Sequence, residues 1–257
     1  YVGLASYTVL VWDHLITLDD EIKYIWERTK NLRTTIYLFF LNRYLTPIAF
    51  LGNLYAYLSS AWTPEDICRC SHFVRYEGSM TVIGINTSAL MMLFRIHGLY
   101  RLQPGATAAV ALVFVVELAT NAWLLTHGIA VPHSPGIHGC SMIFDPNVSL
   151  PRKGVAAAAS AWLPLVFDTT VFALTLWKTY SGLKYPTIMR TTRLFLQEGL
   201  MYYGVIFCVT LVLTIMILTA PDGIKMVIAH PMTEHMRLRM TVAMMSRITL
   251  HMKKEQH

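Results

Sequence analysis

The stretch from Asp13 to Glu21 gathers four acidic side chains and His14 into nine positions. These residue types bind metal ions or transfer protons, but a metal site needs three or four ligands that converge on one point. A helix break inside the stretch would send the side chains in different directions, so we predict neither a metal nor a cofactor here. Asp19 is predicted to cap a second, short helix. Asp20 and Glu21 would lie in its first turn, where acidic side chains stabilise a helix by interacting with its dipole.

Asp13 and Arg43 are charged residues inside apolar segments. Asp13 lies about 7 Å inside the end of the first segment, and Arg43 lies about 13 Å inside the second, at ~1.5 Å per residue. A charge at such a depth in a membrane is costly unless it is paired. The sequence therefore predicts an Asp13–Arg43 ion pair that joins the first two membrane helices, with a functional switch or relay as the alternative.

Three further acids, Glu117, Asp168 and Glu198, fall inside later apolar segments. Intramembrane acids are candidates for ligand contacts, ion contacts or proton relays, and the simpler interpretation is hydrogen bonding to polar side chains of neighbouring helices. Arg95, near the end of the third segment, is a candidate cytosolic switch residue. The simpler interpretation of Arg95 is an arginine whose head reaches the lipid headgroups.

The cysteines are predicted to form a disulfide on the outer side of the membrane. Cys68 and Cys70 precede the third apolar segment, and Cys140 lies in the next outer loop. An oxidising compartment favours a disulfide from Cys140 to Cys68 or Cys70, although these cysteines and nearby histidines could instead bind zinc or copper. Asn147 begins an Asn-Val-Ser glycosylation sequon in the same loop.

The composition indicates that these residues are positioned by membrane helices. Hydrophobic residues make up 54% of the chain and charged residues 14%, against about 25% charged residues in soluble domains. The net charge of +6 is spread over short bursts between apolar runs, so nucleic acid is not predicted as a partner. Seven segments approach or exceed the ~20 residues that a spanning helix needs, at about 2–18, 34–58, 78–99, 106–126, 155–178, 197–220 and 227–250, of which the last is the least apolar.

We therefore predict an all-α membrane protein, a seven-transmembrane helix bundle formed as a single domain by residues 1–257. Lys and Arg concentrate in the loops after the first and fifth segments and in the C-terminal tail. This bias predicts an N-terminus outside and a C-terminus in the cytosol. A short interfacial helix is predicted after the first segment, because Ile22, Ile25 and Trp26 share one face of it.

A pattern of residues lies between positions 7 and 50, and it consists of Asp13, Thr17-Leu18-Asp19-Asp20-Glu21, Ile25-Trp26, Leu38-Phe39 and Asn42-Arg43-Tyr44. This pattern resembles the N-terminal signature of a basidiomycete fungal family of seven-helix membrane proteins, known only as domain-of-unknown-function family 6533. The resemblance implies a membrane location and a fungal source, and it implies no activity. The rest of the chain is similar in helix count, in Phe94-Arg95 with Tyr100, and in Ser246-Arg247.

The favoured function is a receptor-like sensor in the plasma membrane or a secretory-pathway membrane. An outward pocket among the third, fifth, sixth and seventh helices would bind a small-molecule ligand, and the basic cytosolic loops would contact a protein partner. A transporter or channel that uses Glu117, Asp168 or Arg43 as pathway charges is the first alternative. A membrane-embedded, metal-dependent lipid enzyme is the second. An enzyme is disfavoured because the sequence carries no phosphate loop, nucleophile elbow or paired-cysteine zinc motif.

Overall fold

The computed structural model describes residues 2–26, 34–58, 67–101, 103–131, 141–144, 155–184, 190–219 and 232–255. This part of the chain folds into eight helices and one two-stranded antiparallel hairpin. The helices are α1 (Val2–Ile16), α2 (Leu18–Tyr24), α3 (34–58), α4 (Ile67–Leu99), α5 (Pro104–Thr126), α6 (Val155–Lys184), α7 (Arg190–Thr219) and α8 (Met232–Glu255). The hairpin strands are β1 (Gly128–Val131) and β2 (Ser141–Phe144). The prediction of an all-α fold is confirmed, apart from this short hairpin.

The seven longer helices of the described part form a closed ring. Helices α1, α3, α4, α5, α6, α7 and α8 contact one another in chain order, and α8 returns to contact α1. α4 also contacts α6 and α8 across the ring, so it lies near the centre, and the β-hairpin packs against it. The short helix α2 packs on α1 and α8. The ring places residues more than 200 positions apart in the sequence side by side.

The bundle buries polar side chains and exposes apolar ones. Buried charged residues include Asp13, Glu21, Arg43, Glu117, Asp168 and Arg239, whereas Trp12, Tyr55, Leu112 and Met201 are exposed. Two helical stretches in the described part, Cys70–Leu99 and Pro104–Thr126, are long and apolar enough to cross a membrane. Only 17% of the apolar window in the second is buried, whereas the core helix of a soluble protein would be mostly buried.

Several helix boundaries differ from the predicted ones. The helix predicted for 78–99 begins at Ile67, because the polar residues before Gly78 continue the helix and Glu77 is buried. The predicted N-cap at Asp19 is wrong: α2 begins at Leu18, with Thr17 in the capping position. Thr17 makes no side-chain cap bond because its hydroxyl donates to the Asp13 carbonyl oxygen at 2.6 Å.

An apolar core closes one end of the bundle. We call this the Tyr100 end, where α4 ends at Leu99 and α5 begins at Pro104. Its buried side chains come from all six helices α3 to α8, and they include Phe39, Ile96, Val171, Ile206 and Ile248. A second, smaller core joins α1 to α8 through Leu10 and Val242.

Candidate functional site

Glu21 and Arg43 form a fully buried ion pair. The Arg43 Nε atom lies 2.6 Å from Glu21 Oε2, and both side chains are fully buried. The other carboxylate oxygen, Glu21 Oε1, accepts hydrogen bonds from Tyr44 Oη at 2.7 Å and from Trp26 Nε1 at 3.0 Å. We call these four residues the Glu21–Arg43 cluster. Its hydrogen bonds offset the cost of removing both charges from water.

Arg43 also ties α3 to the junction between α1 and α2. One Nη atom donates to the His14 carbonyl oxygen at 3.1 Å and to the Thr17 hydroxyl at 2.8 Å. The guanidinium carbon lies 5.7 Å from the centroid of the Phe39 ring, within the range of a cation–π contact. A single side chain therefore fixes the position of two helix ends.

Pro47 explains the local shape of α3. Proline has no N–H group, so Pro47 cannot donate to the Arg43 carbonyl oxygen four residues earlier. The helix forms a π-helical turn over Leu41–Leu45 at this point. The Nε2 atom of His14 lies 2.6 Å from the Arg43 carbonyl oxygen and supplies a donor from α1.

The predicted Asp13–Arg43 ion pair is wrong, because each residue has another partner. Arg43 pairs with Glu21, and the Asp13 carboxylate accepts a hydrogen bond from Arg247 Nε on α8. The prediction assumed that consecutive helices supply each other's partners and that Arg247 lies in the tail. Closure of the ring instead brings α8 against α1. The sequence signal for a buried Glu21 was the presence of Trp26 and Tyr44, two aromatic residues that can donate hydrogen bonds to its carboxylate.

A small charged cavity lies between α4, α5, α6 and α8. Its volume is about 10 Å³, room for roughly one water molecule. Glu117, Asp168 and Arg237 line it, together with the hydroxyl-bearing Ser88 and Thr241. All three charged side chains are buried.

Asp168 faces two partners in this charged cavity. Its Oδ2 atom accepts a hydrogen bond from the Thr210 hydroxyl of α7 at 2.8 Å, and Arg237 attracts its carboxylate electrostatically. The structure thus brings together two of the predicted intramembrane acids, Glu117 and Asp168. Arg237 lines the same cavity as both acids.

Sequence reasoning missed Arg237 as a site residue because the last apolar segment was too polar to place. Arg237 and Arg239 are two positions apart on α8, and such residues project to nearly opposite sides of a helix. Arg237 therefore enters the charged cavity. Arg239 donates to the Ser6 hydroxyl of α1, and its guanidinium carbon lies 3.4 Å from the centroid of the Phe50 ring.

A second cavity of about 20 Å³ lies between α3, α4 and α8 and is lined by Arg239 and Asn53. The Asn53 Oδ1 atom has no hydrogen-bond partner among the described residues. Leu238 lines both this cavity and the charged cavity. Its side chain packs against Gly84, where a Cβ atom would lie 2.9 Å from a Leu238 methyl carbon. A side chain at position 84 would therefore move the wall between the two cavities.

Arg95, the predicted switch residue, links α4 to α7. Its Nη1 atom donates to the Tyr203 hydroxyl at 3.5 Å, and Arg95 is half-buried. No group of three or more metal-ligand side chains that could hold an ion occurs in the described part of the chain. The predicted site residues Cys140 and Asn147 lie outside the described residues, as does the side chain of Glu198.

Cys70 is disulfide-bonded, and the side chains of Cys68 and Cys140 lie outside the part of the chain that the structure describes. Of the four cysteines in the sequence, Cys208 is free. The predicted pairing with Cys140 stays a prediction.

A sequence model of a family of unknown function (DUF6533) matches residues 1–48. The matched range contains α1, α2 and the first half of α3, and hence every member of the Glu21–Arg43 cluster. Comparisons with curated proteins and with solved structures gave no match. The family match supports the class of the N-terminal segment and supplies no activity.

Proposed function

We propose that the chain is an integral membrane protein whose seven longer helices span the bilayer, and that it senses a small ligand. The apolar exterior and the buried charges support the membrane location, since lipid replaces water at the surface and charges need partners inside. The basic loops support an orientation with the Tyr100 end in the cytosol. The location would be the plasma membrane or a membrane of the secretory pathway.

The observation that carries the sensor proposal is the convergence of Glu117, Asp168 and Arg237 on one cavity. These residues come from three different helices, α5, α6 and α8. A ligand that binds all three would couple the relative positions of those helices. The packed apolar core at the Tyr100 end favours a receptor over an open channel, because it blocks a path through the bundle.

The charge of the cavity indicates the ligand chemistry. With both acids ionised, the two carboxylates and one guanidinium carry a formal negative charge, which attracts a cation. The cavity has room for a group about the size of a water molecule, and an ammonium group is about that size. We therefore propose a ligand with a single amine. Its ammonium group would occupy the cavity, and its remaining atoms would lie between the surrounding helices, which would move apart to admit them.

The amine proposal is tested by thermal unfolding of the detergent-purified chain. Phenethylamine is expected to raise the melting temperature, since a ligand that binds only the folded state stabilises it. Phenylpropionate, a carboxylate of similar size, is expected to have no effect. Asp168→Asn should remove the response to the amine, whereas Asp19→Asn, the same change at an exposed acid, should keep it. Equal responses in all three proteins would overturn the proposal.

We also propose that Cys70 pairs with Cys140. Residues two positions apart on one helix project to opposite sides, a geometry that a disulfide does not bridge. Cys68 and Cys70 are two apart within α4, and Cys208 is free, which leaves Cys140. The bond would tether the hairpin, whose second strand begins just after Cys140, to α4. Non-reducing peptide mapping would identify the linked pair, and glycosidase treatment would test whether Asn147 lies outside.

A transporter is the second candidate function. The observation that favours it is that Leu238 lines two adjacent polar cavities, so a shift of one side chain would join them. Proteoliposomes loaded with buffer and given radiolabelled methylammonium separate the two candidates. Accumulation that Asp168→Asn abolishes would favour transport, and binding without accumulation would favour a sensor.

A further inference from the structure

The Tyr100 end of the bundle has two halves with different charge. The half formed by α1, α2 and α8 carries both acids and bases, such as Asp20 and Lys254. The half formed by α4, α5 and α6 carries bases without acids, because residues 78–116 and 169–197 contain neither Asp nor Glu. Arg101 and Lys178 belong to this basic half.

Lys178 lies at the seam between α4 and α6, beside the residue that precedes Arg101. The Lys178 Nζ atom lies 5.2 Å from the centroid of the Tyr100 ring, and Arg101 directly follows Tyr100. Tyr100 is itself buried, and its hydroxyl donates to the Leu174 carbonyl oxygen of α6 at 2.7 Å. Burial raises the pKa of the Tyr100 phenol, so the hydroxyl keeps the proton that it donates. Tyr100 thus holds the end of α4 against α6, beside Lys178.

Aromatic side chains mark the level of this seam in the bilayer. Trp177 and Tyr180, on either side of Lys178 in the sequence, are 72% and 70% exposed. Exposed Trp and Tyr residues concentrate at the boundary between hydrocarbon and headgroups. Lys178 therefore lies at headgroup level, an inference that rests on the proposed membrane orientation.

We propose that Lys178 and Arg101 bind the phosphate of an anionic phospholipid of the cytosolic leaflet. Basic pockets between membrane helices on the cytosolic side are suited to anionic headgroups. A lysine ammonium and an arginine guanidinium both form charge-assisted hydrogen bonds to phosphate oxygens. The acyl chains of the bound lipid would lie against the exposed apolar surface beside Trp177.

The balanced half of the same end supplies a matched control. Lys254 Nζ lies 3.8 Å from Asp20 Oδ1, and both side chains are about half exposed. Asp20 offsets the charge of Lys254, so we expect Lys254 to contribute little to binding a headgroup.

The test uses the full chain in detergent, titrated with short-chain phosphatidylglycerol and followed by native mass spectrometry and thermal unfolding. The wild type should bind the lipid and unfold at a higher temperature. The double variant Lys178→Gln/Arg101→Gln should bind it about 10- to 30-fold more weakly, from the loss of two basic contacts. Lys254→Gln should bind like the wild type, and phosphatidylcholine should shift none of the proteins.

Equal affinity of the double variant and the wild type would overturn this proposal. Inorganic phosphate that stabilises the wild type as well as the lipid does would also overturn it, because a free anion would then be the ligand. Arg101→Gln alone changes an exposed side chain, so it tests the site even if the double variant fails to fold. A wild-type chain that does not bind the lipid but still responds to the amine would reject the lipid site and leave the sensor proposal standing.

Discussion

The Glu21–Arg43 cluster and the charged cavity both bury charge, but they balance it differently. In the cluster, one carboxylate meets one guanidinium, and two further donors bind one oxygen of that carboxylate. In the cavity, two acidic side chains and one guanidinium line a volume of about 10 Å³. The first arrangement stabilises a single structure. The second leaves charge and space for a further group, which is why we assign structure to one and ligand binding to the other.

Breaking the Glu21–Arg43 pair should have the largest effect on stability. Arg43→Met leaves the Glu21 carboxylate buried without its cation and should lower the free energy of unfolding by about 3–5 kcal/mol. Thermal and denaturant unfolding in detergent would measure the loss. The double variant Arg43→Met/Glu21→Gln should recover part of it, because no buried charge remains. A double variant as unstable as the single one would show that the pair does not act as a unit.

The Asp13–Arg247 pair should matter less, since the Arg247 side chain is 39% exposed and water screens it. A double-mutant cycle with Asp13→Asn and Arg247→Gln should give a coupling energy of about 1 kcal/mol. The same cycle with Asp13→Asn and Arg43→Gln should give a smaller coupling, as these side chains have different partners. A larger coupling to Arg43 would restore the pair that the sequence predicted.

The smallest change in stability is expected in the charged cavity. Asp168→Asn removes one of two neighbouring acids, and its amide oxygen can still accept the Thr210 hydrogen bond. The free energy of unfolding should therefore change by less than about 1 kcal/mol. Unfolding curves of the variant and wild type would measure the change. A loss as large as that of Arg43→Met would mean that the cavity, too, is a structural ion pair.

The sequence predicted which elements exist better than which side chains meet. Hydrophobic runs predicted helices around Glu117 and Asp168, and the first-turn acids of α2 were also anticipated. The periodicity of hydrophobic residues cannot show which neighbouring helix a buried side chain faces. The partners predicted for Asp13 and Arg43 were therefore wrong. These partners depend on the closure of the ring, which joins α8 to α1 across the whole length of the chain.

Arg237 was missed for a different physical reason. Its helix has a polar sequence, yet most of α8 is buried by α1, α4 and α7. Hydropathy measures how well a segment suits contact with lipid. A helix that is surrounded by other helices has little contact with lipid, so its hydropathy does not predict its position. Two arginines two positions apart, each needing an acid or an aromatic ring on a different helix, were the available signal.

The π-helical turn of α3 acts as a one-residue phase shift between the two halves of that helix. Each residue turns an α-helix by about 100°, so the extra residue decides which side of the distal half meets its neighbours. With it, Phe50 lies under Arg239 and Asn53 lines a cavity. Deleting one residue from Leu41–Leu45 would rotate the side chain of Asn53 around the helix axis. The same rotation would apply to every residue from the deletion to Leu58, so different apolar and polar side chains would then face the neighbouring helices.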